Sequence, residues 1–263
     1  MSGRRLAVSV YGCAMLLLAA AGAIAAPAPE LRIAVAASFA PVAERLCRDY
    51  FAARPGRCTV SSGASGLLAT QVAQGAPFEV FLSADSERPA RLVADGLADP
   101  GSRFTYAIGR LVLWIPAGTT ARTIDAALGD RAVRTLAIAN PDAAPYGAAA
   151  IEVLRRLGWP RDGRPVLVQG TNVAQAFQFV ESGAADAGFV ATAQVLARRQ
   201  SAPVATPGDA IDVPAAMHAP IEQQAVLLAR AAGDPDARGF LDYLRSEPAR
   251  TVISAAGYDL PSR

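Results

Sequence analysis

Histidine is all but absent from this chain: His218 is the single one among 263 residues. No Cys-x-x-Cys pair occurs either, so the usual ligand sets for zinc are missing. Walker A and dinucleotide glycine fingerprints do not appear. Gly63-Ala64-Ser65-Gly66-Leu67 misses the nucleophile elbow, because leucine stands where that turn requires glycine. The carboxylates are scattered without an obvious acid/base pair. Asp85 is placed to cap the helix after it, and Asp186 falls in a turn. His218 sits in a loop-like Pro-Ala-Ala-Met-His-Ala-Pro setting that suits a surface or hinge residue better than a base. The expectation is therefore a protein that is not an enzyme, with no catalytic residues and no cofactor.

An excess of one charge is also lacking. Lys and Arg number 25 against 23 Asp and Glu, a formal net charge of +2. A nucleic-acid partner would want a basic patch, so none is expected. An anionic ligand would have to be held by local dipoles rather than by a global positive field.

Long apolar runs are limited to one, at 6–21, preceded by Arg4 and Arg5 and followed by Ala23-Ile24-Ala25. That is the pattern of a signal peptide over 1–25. A membrane anchor would need about 20 apolar residues and a charged flank, whereas Pro27 and Pro29 follow at once. Cys13, after Val10-Tyr11-Gly12, has too short an apolar run before it for a lipoprotein signal. Cleavage removes Arg4 and Arg5 and leaves 23 basic residues facing 23 acidic ones. Export would leave Cys47 and Cys58 as an even pair in an oxidising compartment. A disulfide between them is the preferred reading; two buried thiols are the alternative.

What the mature chain does have is an alternation of short apolar runs with helical patterns, the signature of an α/β protein with parallel strands. Strands are expected at 31–36, 57–61, 78–82, 106–115, 135–139, 166–168, 187–190 and 224–228. Helices are expected at 67–73, 86–94, 147–157, 173–182 and 235–244, with Val42, Leu46 and Tyr50 marking one more. Phe177, Phe179 and Phe189 read as core. No linker interrupts the series, which suggests two lobes joined by crossing strands, with 109–114 and 221–228 as the candidates. Lobe I would then comprise 31–108 plus 221–263, and lobe II 109–220.

Four places share one grammar, an apolar strand, a Ser/Gly/Pro/Asn-rich turn and a helix start. They are Ala36-Ala37-Ser38-Phe39, Ser62-Gly63-Ala64-Ser65-Gly66, Ala144-Pro145-Tyr146-Gly147 and Gly170-Thr171-Asn172-Val173. The first amides of a helix have no intrahelical acceptor, and the helix dipole makes that end partly positive. Open α/β sheets place ligands beyond their strand ends. Four such starts converging would supply neutral donors in every direction, which suits a compact tetrahedral dianion. Each serine taken alone could equally be an ordinary N-cap. No Lys or Arg lies inside any of the four turns, which favours binding over phosphoryl chemistry.

At these turns the chain resembles the periplasmic molybdate-binding proteins of ABC-type molybdate importers, from about Leu31 to Tyr258. Its markers are Val35-Ala36-Ala37-Ser38-Phe39, Ser62-Gly63-Ala64-Ser65-Gly66 and Gln74-Gly75-Ala76-Pro77 leading to Phe81-Leu82-Ser83-Ala84-Asp85. Asn140-Pro141 with Ala144-Pro145-Tyr146-Gly147-Ala148-Ala149, Gln169-Gly170-Thr171-Asn172-Val173 and the ending Gly257-Tyr258 complete the set. The resemblance implies a two-lobed type II periplasmic-binding fold, each lobe a mixed sheet flanked by helices, closing on the ligand. It implies that Ser38 and Ser65 give hydroxyl and amide donors, and that Tyr146 and Val173 give chiefly backbone amides, with Phe39 and Asn172 beside them. Molybdenum would be bound only as the oxyanion, molybdate or tungstate, through these same residues. A monomer in the periplasm that docks on a membrane permease is implied as well. Some relatives carry a ligand-contacting tyrosine where this chain has Ala191; Tyr146 resembles another branch of the family. The nearest alternative is a binding protein for sulfate or phosphate. Further away stand a ligand-sensing regulatory domain, which would lack the export signal, and an exported hydrolase.

Overall fold

Residues 30–201 and 208–262 are described by the computed structural model. The expected signal peptide at 1–25, with Cys13, lies outside the described residues. In chain order the first elements are β1 (Glu30–Ala36), α1 (Ala40–Phe51), β2 (Arg57–Gly63), α2 (Ser65–Ala73), β3 (Val80–Leu82), α3 (Glu87–Ala94) and β4 (Phe104–Gly109). Then come β5 (Leu111–Ile115), α4 (Ile124–Leu128), β6 (Thr135–Ala139), α5 (Pro145–Leu157), β7 (Val166–Gly170), α6 (Val173–Glu181), β8 (Ala187–Ala191) and α7 (Thr192–Ser201). The chain ends in β9 (Asp209–Asp212), β10 (Ile221–Leu227), α8 (Pro235–Arg245) and α9 (Glu247–Ala255).

These strands form two five-stranded mixed sheets, ordered β2-β1-β3-β10-β4 and β7-β6-β8-β5-β9. In the first, β1 runs parallel to β2 and β3, while β10 runs antiparallel to β3 and β4. In the second, β6 is parallel to β7 and β8, and β5 is antiparallel to β8 and β9. The period of two along each strand sends alternate side chains to opposite layers. On β1, Leu31, Ile33 and Val35 join the core under α1, α8 and α9, while Ala34 faces the layer of α2 and α3. On β5, Leu111, Leu113 and Ile115 face α4 and α5, while Val112 and Trp114 face α6 and α7. Phe177 stacks on Trp114 at 4.6 Å, and Phe189 is fully buried.

The apolar run expected as one strand over 106–115 is divided at Arg110. Its first half pairs with β10 in one sheet, and its second half pairs with β8 in the other. The run is apolar because both halves are buried, and the partner changes at the start of the 109–114 segment expected to cross between the lobes. The chain returns to the first sheet between β9 and β10, and β10 lies wholly in that sheet.

Cys47, buried on α1, is bonded to Cys58 at the start of β2 across an 11-residue separation. Closing so short a loop in the unfolded chain stabilises by about 3 kcal/mol in the chain-entropy picture. The double variant Cys47→Ser/Cys58→Ser is expected to lower Tm by about 5–10 °C. Calorimetry of oxidised protein checks this, and the same variant is expected to leave ligand affinity unchanged.

Candidate functional site

The carboxyl ends of the parallel strands bring all four turns to one small cavity. Ala36-Ala37-Ser38 enter from β1, Gly63-Ala64-Ser65 from β2, Ala144-Pro145-Tyr146 from the start of α5, and Asn172-Val173 from the start of α6; Ala84, after β3, completes the lining. The cavity is small and is lined by these twelve residues. Every lining residue is uncharged.

Local structure explains why the donors face inward. The helices α1, α2 and α5 all begin without a side-chain cap, behind Phe39, Ala64 and Ala144. Ser38 and Ser65 are therefore not serving as N-caps. The amides of Ser65, Tyr146 and Val173 belong to first turns, where no intrahelical acceptor exists. Three helix N-termini thus direct partial positive charge at one point.

The two hydroxyls differ. Ser65 is 1% exposed, and its Oγ accepts a 2.9 Å hydrogen bond from the Ala84 amide. That occupies a lone pair and leaves the hydroxyl proton free to donate. Ser38 is 3% exposed, and its Oγ lies beside the Tyr146 and Tyr258 hydroxyls without making a hydrogen bond of acceptable geometry to any described residue. A buried polar atom in that condition costs about 1–3 kcal/mol, and a ligand oxygen would relieve it. The Ser38 carbonyl is held from behind by the Tyr258 hydroxyl at 2.7 Å.

Behind the cavity lies a hydrogen-bonded relay at the junction of the lobes. Gln223 on β10, fully buried, accepts from the Tyr106 hydroxyl at 3.0 Å and donates to the Tyr146 hydroxyl at 3.3 Å. Burial pushes the Tyr146 phenol well above its ordinary range, against smaller downward pulls from Ser38 and Gln223. Burial likewise raises Tyr106 and Tyr258. All three phenols stay protonated at neutral pH, so no phenolate opposes an anion in the cavity. The backing of the site is neutral too.

Of the residues singled out in the sequence, Ser38, Ser65, Tyr146, Val173 and Asn172 line the cavity, and Phe39 does not. The Phe39 ring is fully buried against Tyr106 and Tyr258, with centroids 4.7 and 5.3 Å away. Its amide is spent on the Ala36 carbonyl at 2.8 Å. Asn172 lines the cavity, but its Oδ1 caps α6 by accepting from the Ala174 and Gln175 amides. Ala191 is buried at the end of β8 and is absent from the lining. Tyr146 lines the cavity, and its hydroxyl lies against Gly109 and accepts from Gln223. Asp85 accepts from the Arg88 amide in the first turn of α3, as a cap would. Asp186 is structural, accepting from the Arg134 and Thr135 amides and the Thr135 hydroxyl across β6 and β8. His218 is 9% exposed, bonds through Nδ1 to the Ala219 carbonyl and is not among the residues that line the cavity. Ala84 and Gln223 escaped the sequence reading, because neither an alanine nor a mid-strand glutamine carries a signal of its own.

Two mixed-sheet lobes meeting over a small uncharged cavity at their strand ends define a solute receptor of the periplasmic-binding type. The chain belongs to the bacterial extracellular solute-binding protein family, whose model matches residues 31–259. It is 42% identical over 248 residues to the molybdate-binding protein ModA of Rhodobacter capsulatus, covering 94% of this chain and 95% of that one. Identity to the ModA of Azotobacter vinelandii is 41% over 238 residues, covering 90% and 93%. The solved periplasmic molybdate-binding protein of Azotobacter vinelandii superposes with a TM-score of 0.81 at 38% identity, over 88% of this chain and 100% of that one. The sulfate-binding protein SubI of Mycobacterium tuberculosis superposes at 0.70 with 16% identity, over 88% and 86%, which is a likeness of fold alone.

Proposed function

We propose that this protein captures molybdate or tungstate outside the cytoplasm and delivers it to the membrane permease of an ABC importer. The single observation that carries the reading is the convergence of four uncharged turns on one cavity, with the Ser38 hydroxyl buried and unpartnered there. Hydroxyls of Ser38 and Ser65 and amides of Ser38, Ser65, Tyr146 and Val173 are the donors. A dianion with four oxygens matches such a set, because it needs donors all round and no proton acceptor. Hydrogen phosphate would bring a proton, and no carboxylate lines the cavity to receive it. The relatives named as molybdate-binding support the choice of ion. The mechanism is closure of two lobes about the Arg110 crossover and the segment before β10, which buries the ion among preorganised dipoles. The protein acts as a monomer without a cofactor and turns nothing over, and residues 1–25 direct it to the periplasm.

Isothermal titration of the mature protein with molybdate, tungstate, sulfate and phosphate in parallel tests the reading. One-to-one binding of the first two with no heat from the others is expected. Binding of sulfate alone would keep the fold and the site but assign the protein to a different importer. Silence from all four would reduce the turns to helix starts.

A further inference from the structure

The lobes touch at a second place, on the rim of the cavity away from the Tyr146 junction. The Gly66 amide, in the first turn of α2, donates to the Ala143 carbonyl of the other lobe at 2.9 Å. Beside it, Arg88 of α3 donates from Nη2 to the Asp142 carbonyl at 3.1 Å. The guanidinium is held in place from its own lobe, since Nη1 pairs with the Asp85 carboxylate, which also accepts from the Arg88 amide at 2.8 Å. Both side chains are mostly buried, 23% exposed for Arg88 and 17% for Asp85.

The facing loop is equally fixed. Asn140 accepts from the Asp142 amide through Oδ1 and from the Ala144 amide through its carbonyl, at 3.0 and 2.9 Å. This turn leads directly into α5, whose first-turn amide at Tyr146 faces the cavity. There is no spare room between the two sides. A Cβ on Gly66 would lie 3.0 Å from Arg88 Nε and 3.1 Å from the Ala143 carbonyl oxygen. Any larger residue at 66 would push on Arg88 and the Ala143 carbonyl by a few tenths of an ångström.

We infer that Arg88 is a positioning residue, a clasp that never touches the oxyanion but holds the lobes closed over it and so sets how long the ion stays bound. The inference rests on the oxyanion reading above. The clasp forms only when the lobes meet, so it opposes opening and contributes little to the encounter. Its loss belongs in the dissociation rate, where most affinity differences among variants of one interface reside. A charge-assisted hydrogen bond at a partly exposed rim corresponds to about tenfold.

The test is release of radiolabelled molybdate into excess unlabelled ion, with association followed by stopped flow. Arg88→Met is expected to release the ion about tenfold faster, with an association rate within about twofold of wild type. The melting temperature of the ligand-free protein is expected to fall no further than in Asp85→Asn, which loses the same ion pair within one lobe. Asp85→Asn, which keeps an acceptor for the Arg88 amide but frees the guanidinium, is expected to fall between the two. Arg88→Lys is expected to restore only part of the residence time, because an ammonium cannot reproduce the planar fork. The two milder variants keep the test available if Arg88→Met folds poorly. A wild-type dissociation rate in Arg88→Met, or an equal loss in association rate and ligand-free stability, would overturn the clasp and leave the binding function standing. Failure of the wild-type protein to bind molybdate would overturn the function reading and the clasp with it.

Discussion

Ser38→Ala is expected to weaken oxyanion binding by about 1.5–3 kcal/mol, the range for a hydrogen bond to a charged group, or roughly 10- to 150-fold in Kd. The same variant is expected to leave the ligand-free protein at least as stable as wild type. The two expectations come from one fact: Ser38 Oγ is buried with no partner among the described residues. Removing a buried atom with no hydrogen-bond partner relieves the empty protein of an unsatisfied group, while removing a donor from the bound ion costs the complex. Ser65→Ala should behave differently. The Ser65 hydroxyl also receives the Ala84 amide, so its loss strands a buried donor and lowers stability as well as affinity. Titration and thermal melting of the two variants side by side check the contrast. Equal losses of ligand-free stability in both would contradict the assignment of Ser38 to the ligand.

Gly109→Ala is expected to cost about 1–3 kcal/mol of binding through overpacking, again up to roughly 100-fold. Gly109 ends β4 at the crossover, and a Cβ there would strike the Tyr146 hydroxyl, with the ring carbon bearing it at 2.9 Å and Ile221 Cγ2 at 3.0 Å. The obstruction exists only where α5 seats against β4 and β10, so the closed state suffers more than the separate lobes. The Tyr146→Phe change removes the struck oxygen. The double variant Gly109→Ala/Tyr146→Phe is therefore expected to recover part of the affinity, although Tyr146→Phe alone gives up the Gln223 hydrogen bond and weakens binding a few-fold. Titration of the single and double variants gives the coupling directly. Simple additivity would mean that the clash is not what limits closure.

Much of the fold was legible because its signals are local. Apolar runs followed by turn residues and a helical period marked β1, β6, β7 and β8 and the helices after β3, β6 and β7. What remained hidden depended on distant partners. The unbroken series of runs pointed to a crossing at 109–114, and the sheet changes there, but nothing in Ile108-Gly109-Arg110-Leu111 names β10 and β8 as the partners. The helix α7 was missed because its sequence, Thr-Ala-Gln-Val-Leu-Ala-Arg-Arg-Gln-Ser, buries only Val195. The helices α4 and α9 and the short strand β9 lacked a pattern long enough to stand out.

The candidate site divides in the same way. Ser38, Ser65, Tyr146 and Val173 sit in turns whose grammar repeats four times, and repetition made them visible. Phe39 was carried along by adjacency, and the side-chain direction at a helix start sent it into the core instead. Arg88, Gln223 and Ala84 act across 54, 77 and 19 residues of sequence, on Asp142, Tyr146 and Ser65 respectively. No local spacing could have linked those pairs.

The most direct measurement is a crystal structure of the mature protein grown with molybdate, with diffraction recorded at the molybdenum absorption edge. A single anomalous peak is expected between Ser38, Ser65, Tyr146 and Val173, with the serine hydroxyls and first-turn amides as its neighbours and no arginine side chain in contact. A peak elsewhere, or one held by a guanidinium, would contradict the claim that neutral helix-start donors bind the ion.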